Sequence, residues 1–124
     1  MGSFKQLTVY KKAFDLAMDI FEISKVFPKE EKYSLTDQIR RSSRSVCVNV
    51  AEGYRKRLYP AHFITKISDA DMENSETQVW LDFALSCGYI KTGLHEKLTA
   101  SSKEIGKLLN HMINNPEKYD GTKD

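Results

Sequence analysis

The chain has 124 residues, 29% of them charged and 40% hydrophobic, and a net charge of +2. That length suits one domain with a core of its own, and the balance excludes a disordered chain. No apolar run is long enough to cross a membrane, and Cys47 and Cys87 form no short motif, so both are expected as reduced, buried thiols of a cytoplasmic protein.

Met1-Gly2-Ser3-Phe4-Lys5-Gln6 has no apolar h-region, so no signal peptide is expected. Gln6 stands where a myristoylation site needs Ser or Thr. Four amphipathic segments follow, with no alternating pattern of a strand. The first covers about 8–27. Val9, Ala13, Leu16, Ile20, Ile23 and Phe27 recur at spacings of three and four, which is one helical face, and Pro28 stops it. Tyr10, Phe14, Ala17 and Phe21 form a second stripe, about a quarter-turn away. It serves either as a wide core face with part-exposed rings or as the seam against another subunit, with Tyr10, Phe14 and Phe21 as the contacts.

The second helix is expected over about 34–57. Ser34-Leu35-Thr36-Asp37 resembles a capping box, and Leu35, Ile39, Ser42, Val46, Val50 and Gly53 face inward. Arg40, Arg41, Arg44 and Arg55 fall on the outer side, and Arg55-Lys56-Arg57 crowds the following turn between Tyr54 and Tyr59. The third helix, about 60–87, starts at Pro60 and ends near Gly88. Phe63, Ile67, Ala70, Asn74, Thr77, Leu81 and Ala84 face inward, with Met72, Val79 and Phe83 as a weaker outer stripe. The fourth, about 92–114, turns Leu94, Leu98, Ser101, Ile105, Leu108 and Met112 inward and stops before Pro116. The tail 117–124 is expected to fray. Four such helices with short links fold most simply as an all-α, up-down-up-down four-helix bundle, a single domain over 1–124.

Charge is uneven along the chain. Residues 1–57 carry 12 Lys/Arg against 7 Asp/Glu, and residues 58–90 carry 1 against 5. Arg40, Arg41, Arg44, Arg55, Lys56 and Arg57, with Tyr54 and Tyr59 beside the turn, suit a phosphate-rich ligand such as RNA. The same arginines also suit ion pairs with the acidic third helix or with a neighbouring subunit. Asp69, Asp71, Glu73 and Glu76 read as a solvated helix face. Asn49, Glu52 and Glu76 are the candidate members of a structural polar network.

Catalytic patterns are absent. His62, His95 and His111 have no second His at three or four residues, and no Cys-x-x-Cys, His-Glu-x-x-His or Gly-rich phosphate loop occurs. The chain is therefore expected to be non-enzymatic, without catalytic residues, metal or cofactor.

Several separated motifs resemble one family. Phe4-x-x-Leu7-x-Val9-Tyr10-x-Lys12-Ala13, Phe27-Pro28-x-x-Glu31, then Gln38-x-x-Arg41 and Asn49-Val50-Ala51-Glu52-Gly53 occur in order, followed by Gly88-Tyr89-Ile90. The pattern resembles the four-helix-bundle proteins encoded in intervening sequences of bacterial 23S ribosomal RNA genes. Met72-Glu73 departs from a Gly-Ser that the family often has there, and Thr77 from a hydrophobic residue. The resemblance implies an up-down bundle that assembles as a homopentamer. A related branch, the accessory variability proteins of diversity-generating retroelements, uses a basic pentamer to bind RNA and a reverse transcriptase. The expected partners are thus further copies of the chain, RNA, and another protein such as a reverse transcriptase, with no membrane. The alternative is a protein-interaction adaptor with no nucleic-acid role.

Overall fold

Helices form close to where the spacing places them in a computed structural model that describes residues 3–120. Expectations that fall on residues 1–2 and 121–124, the end of the tail included, lie outside the described residues. The helices are α1 (Thr8–Ser24), α2 (Leu35–Arg55), α3 (Pro60–Ser86) and α4 (Thr92–Asn114), with 3-10 turns at Phe4–Gln6, Lys29–Glu31 and Pro116–Lys118. No strand occurs among the described residues.

α1 ends three residues before the expected Phe27. Pro28 disfavours a helical backbone at the residue before it, and the amides of Lys25, Val26 and Phe27 bond three residues back instead of four. The start of α2 is capped by a different residue from the one expected. Ser34 makes no cap bond. Glu31 does: its Oε1 accepts from the Ser34 hydroxyl at 2.6 Å and from the Leu35 amide at 3.3 Å. A carboxylate is favoured at that end of the helix dipole. Its other oxygen accepts from the Tyr89 hydroxyl at 2.8 Å, which ties the α1–α2 link to the α3–α4 link. α3 ends as Gly88 suggests. Gly88 has φ of 77°, its amide bonds to Leu85 O and the Tyr89 amide to Ala84 O, which is a Schellman closure.

Consecutive helices pack on one another and α1 also packs on α4, while the backbones of the diagonal pairs stay apart. This is the up-down-up-down arrangement. Leu16, Ile20, Ile39, Val46, Ile67, Leu81, Leu98 and Ile105 are buried in one core. The contact between α2 and α3 is the most extensive, and Gly53 permits it. A Cβ there would stand 2.8 Å from Ile67 Cδ1 and 3.1 Å from Lys66 Cβ.

Polar side chains sit inside this core, and Ser42, Asn74, Thr77 and Ser102 are each hydrogen-bonded. Ser42 and Thr77 share a hydrogen bond of 2.9 Å between α2 and α3. Asn74 donates to Ser102 O at 2.8 Å and accepts from the Ser102 hydroxyl at 2.8 Å, while Gln78 donates to that hydroxyl at 3.0 Å. These bonds set the rotation of α4. Ser102 and Leu109 are buried where Ser101 and Leu108 were expected, and those two are half-buried beside them. The tail departs from the expected fraying as far as it is described. Tyr119 stacks on Phe63 with ring centres 5.9 Å apart, and its hydroxyl meets His111 Nδ1 at 3.1 Å.

Candidate nucleic-acid interface

The outer side of α2 carries the basic residues, but the fold distributes them among three roles. Arg40 does not project freely. Its Nε donates to Ser24 Oγ at 2.7 Å and its Nη2 to Phe21 O at 3.4 Å, so it closes the C-terminal end of α1. Cations suit that end of a helix. Arg41 turns away from the others toward α3. It bonds both oxygens of Glu73 at 3.2 and 3.3 Å and Glu76 Oε1 at 2.6 Å. The acidic segment is therefore not a wholly solvated face: Glu73 and Glu76 hold α2 to α3. Burial by itself raises the Glu76 carboxyl, but the Arg41 guanidinium and the Trp80 indole N–H bring it below its usual range. Asp71 lies half-buried, and burial pushes its carboxyl up.

Arg44 is exposed, and so are Arg55 and Lys56 at the far end of the helix. None of the three has a carboxylate partner among the described residues. Arg57 is different. It is half-buried over the Tyr54 ring at 4.3 Å, and its Nη1 donates to Tyr54 O at 3.0 Å. Tyr54 is buried beneath it and offers no face for a base, while Tyr59 stays exposed.

An open groove of about 580 Å³ runs along the first half of α2. Lys32, Tyr33, Arg40, Arg41 and Arg44 line it, with Asp37 as its one carboxylate. Lys32 and Tyr33 were not among the candidates read from the sequence. They precede α2, outside the helical repeat that drew attention to the arginines. No helical offset marks them, because the backbone at Ser34 is not helical and breaks the repeat before α2 begins.

Asn49, Glu52 and Glu76 do not meet. Asn49 bonds Ser45 O on its own helix at 2.9 Å, Glu52 pairs with Lys66 at 3.2 Å, and Glu76 belongs to Arg41. In the second stripe of α1, Ala17 is buried, Tyr10 is half-buried and Phe14 is 49% exposed beside Met18. Phe21 leaves that strip. Its ring lies under Arg40 at 4.7 Å, Lys25 at 4.8 Å and Arg44 at 5.6 Å. On α3, Met72, Val79 and Phe83 are exposed on the line opposite the core.

Of the cysteines, Cys47 is buried, and burial pushes its thiol up to about 11, well into the inert range. Cys87 is exposed, contrary to expectation, because it caps α3 at the chain reversal. His95 bonds Asp82 at 2.8 Å, and no three metal-binding side chains converge among the described residues. No helix among them is long and apolar enough to cross a membrane.

The family model of the 23S rRNA-intervening sequence protein matches residues 5–111. A crystal structure of a protein of unknown function from the S23 ribosomal protein family, from Bacteroides thetaiotaomicron, is similar at a TM-score of 0.78 and 32% identity. The match covers 86% of this chain and 95% of that one. No curated protein matches the chain.

Proposed function

We propose that this chain, which belongs to the 23S rRNA-intervening sequence protein family, is a non-enzymatic homo-oligomeric bundle that binds RNA. The binding surface is the outer side of α2 and the turn after it. The observation that carries this is the row of unpaired cations: Arg44, then Arg55 and Lys56, exposed and without carboxylates. Arg44 and Arg55 are about 16 Å apart along the helix axis at 1.5 Å per residue. Arginine presents a rigid fork suited to phosphate, and a row of them releases counterions on binding a nucleic acid.

Two apolar strips support assembly. α1 and α3 are diagonal in the bundle, so Phe14–Met18 and Met72–Val79–Phe83 face opposite ways. A contact of the α1 strip of one copy on the α3 strip of the next is heterologous, and such contacts close into a ring where the turn from copy to copy divides a full circle and otherwise run on as a filament. The family resemblance makes five the expected number, with the work done in the cytoplasm. Repetition of a basic face around a ring multiplies weak phosphate contacts through effective concentration. The resemblance to the accessory variability proteins extends the proposal to a reverse transcriptase as a protein partner.

Salt-titrated RNA binding tests the RNA role. Wild type is expected to bind at low salt and to weaken steeply as salt rises. Arg55→Ser with Lys56→Ser should weaken binding and lower the salt slope by about 0.7–0.9 per lost phosphate contact. Arg57 stays in place, because it packs on Tyr54. Unchanged affinity in the double variant removes the turn from the site. Absence of binding by wild type at low salt overturns the RNA role and leaves the apolar strips as the functional surface, that of an adaptor.

A further inference from the structure

Tyr33 is the most exposed large side chain with an aromatic face, at 84%. Its ring touches only the Lys32 ammonium, 5.3 Å from the ring centre, and its hydroxyl has no partner among the described residues. One aromatic face at the mouth of a basic groove is therefore open to a ligand. The cationic end of that groove is preorganised. Phe21 serves as a plate on which Arg40 and Arg44 both rest, and the bonds of Arg40 to Ser24 and to Phe21 O hold its guanidinium in place. Arg40 Nη1 carries no bond to the protein among the described residues, and Arg44 has no carboxylate. The two guanidinium groups share one ring and repel each other unless an anion lies between or beside them. Asp37 lines the groove between Tyr33 and the arginines in sequence, one helical turn before Arg40.

An aromatic face next to a cationic clamp matches a nucleotide whose base is free to stack. Double-stranded RNA hides its base faces, whereas an unpaired segment exposes them. Resting on the RNA-binding role above, we infer that the α2 groove holds an unpaired nucleotide of single-stranded RNA, its base on Tyr33 and its phosphates on Arg40 and Arg44. The site then selects loops or single strands within a structured RNA and not the duplex stems.

The experiment compares three labelled probes by fluorescence anisotropy at low salt: a 12-nucleotide single-stranded RNA, a 12-base-pair RNA duplex and inorganic polyphosphate. Wild type, Tyr33→Ala, Tyr33→Phe and Arg44→Gln are each tested. Wild type is expected to prefer the single strand to the duplex. Tyr33→Ala should lose about ten-fold or more in single-strand affinity, in line with the loss of one base stack. Tyr33→Phe should keep it, and neither change should alter duplex or polyphosphate binding. Arg44→Gln should weaken all three probes. Duplex bound as well as the single strand, or Tyr33→Ala without selective effect on the single strand, overturns the unpaired-nucleotide site and leaves RNA binding standing. If neither RNA binds wild type, both fall. Polyphosphate bound more tightly than either RNA identifies the groove as a plain anion site and overturns the inference.

Discussion

Gly53 closes the Asn-Val-Ala-Glu-Gly motif, and its missing side chain is what lets α2 lie against α3. An added methyl would meet Ile67 Cδ1 at 2.8 Å, and Ile67 is fully buried, so it has no room to yield. Gly53→Ala gains up to about 1 kcal/mol of helix propensity, less near a helix end. Overpacking costs about 1–3 kcal/mol. The expected net is a destabilisation of up to about 3 kcal/mol, measured by urea unfolding; a stabilised variant would show that α3 moves aside. Glu31 acts at the same scale. Its carboxyl is held below the usual range by the Ser34 hydroxyl, then the Tyr89 hydroxyl and the Leu35 amide. The bond to Glu31 is also the main reason the Tyr89 hydroxyl is pushed up to about 12. A depressed carboxylate contributes stability above its unfolded pKa of about 4.3 and loses it as pH falls through the folded value. Glu31→Gln should therefore melt below wild type at pH 7 and close to it at pH 3. An equal gap at both pH values would mean that the charge of Glu31 is irrelevant. None of this capping was visible around Ser34, because the acceptor lies outside the helix, in the turn before it.

At the scale of the element, α2 divides its surface by angle. Its inner line of Leu35, Ile39, Ser42, Val46 and Val50 is wholly buried. One flank gives Arg40 to α1, the other gives Arg41 to α3, and the outermost line leaves Arg44 and Arg55 exposed. The double change at Arg55 and Lys56 should leave helix content by circular dichroism unaltered. The end of α2 is held by the backbone bond from the Lys56 amide to Gly53 O, and no side chain in that pair takes part. Periodicity reveals which residues face outward, but not which outward cations are consumed by a neighbour. For that the partner's position is needed, and Glu73 lies 32 residues from Arg41. The same limit applies to Phe21, whose spacing places it in a stripe with Phe14 while α2 covers it with cations.

The whole molecule presents two apolar strips on opposite sides and one basic side between them. Phe14→Glu puts a charge in the α1 strip, where burial against another copy would be costly. Light scattering should find wild type at a multiple of 14.3 kDa at micromolar concentration, and the variant shifted toward the monomer. A monomeric wild type would end the ring proposal. The variant should keep its fold, because Phe14 is half in solvent and outside the core.

The sequence by itself determined the four helices, their antiparallel order, the expected inner residues of α2 and α3 and most of those of α1, where Ile23 is half-buried and Ala17 and Ser24 are buried, because those depend on local spacing, proline stops and short links. Membership of the family was legible too, since its motifs stand in order along the chain. Only the tertiary structure decided the rotation of α4. Ser101-Ser102 and Leu108-Leu109 offer two adjacent registers of similar hydrophobicity, and the buried Asn74 selects the one that satisfies its amide. Tertiary structure also decided which of the six basic residues remain free, and it placed Tyr33 beside them. Those outcomes rest on contacts between helices far apart in the chain, which no local period encodes.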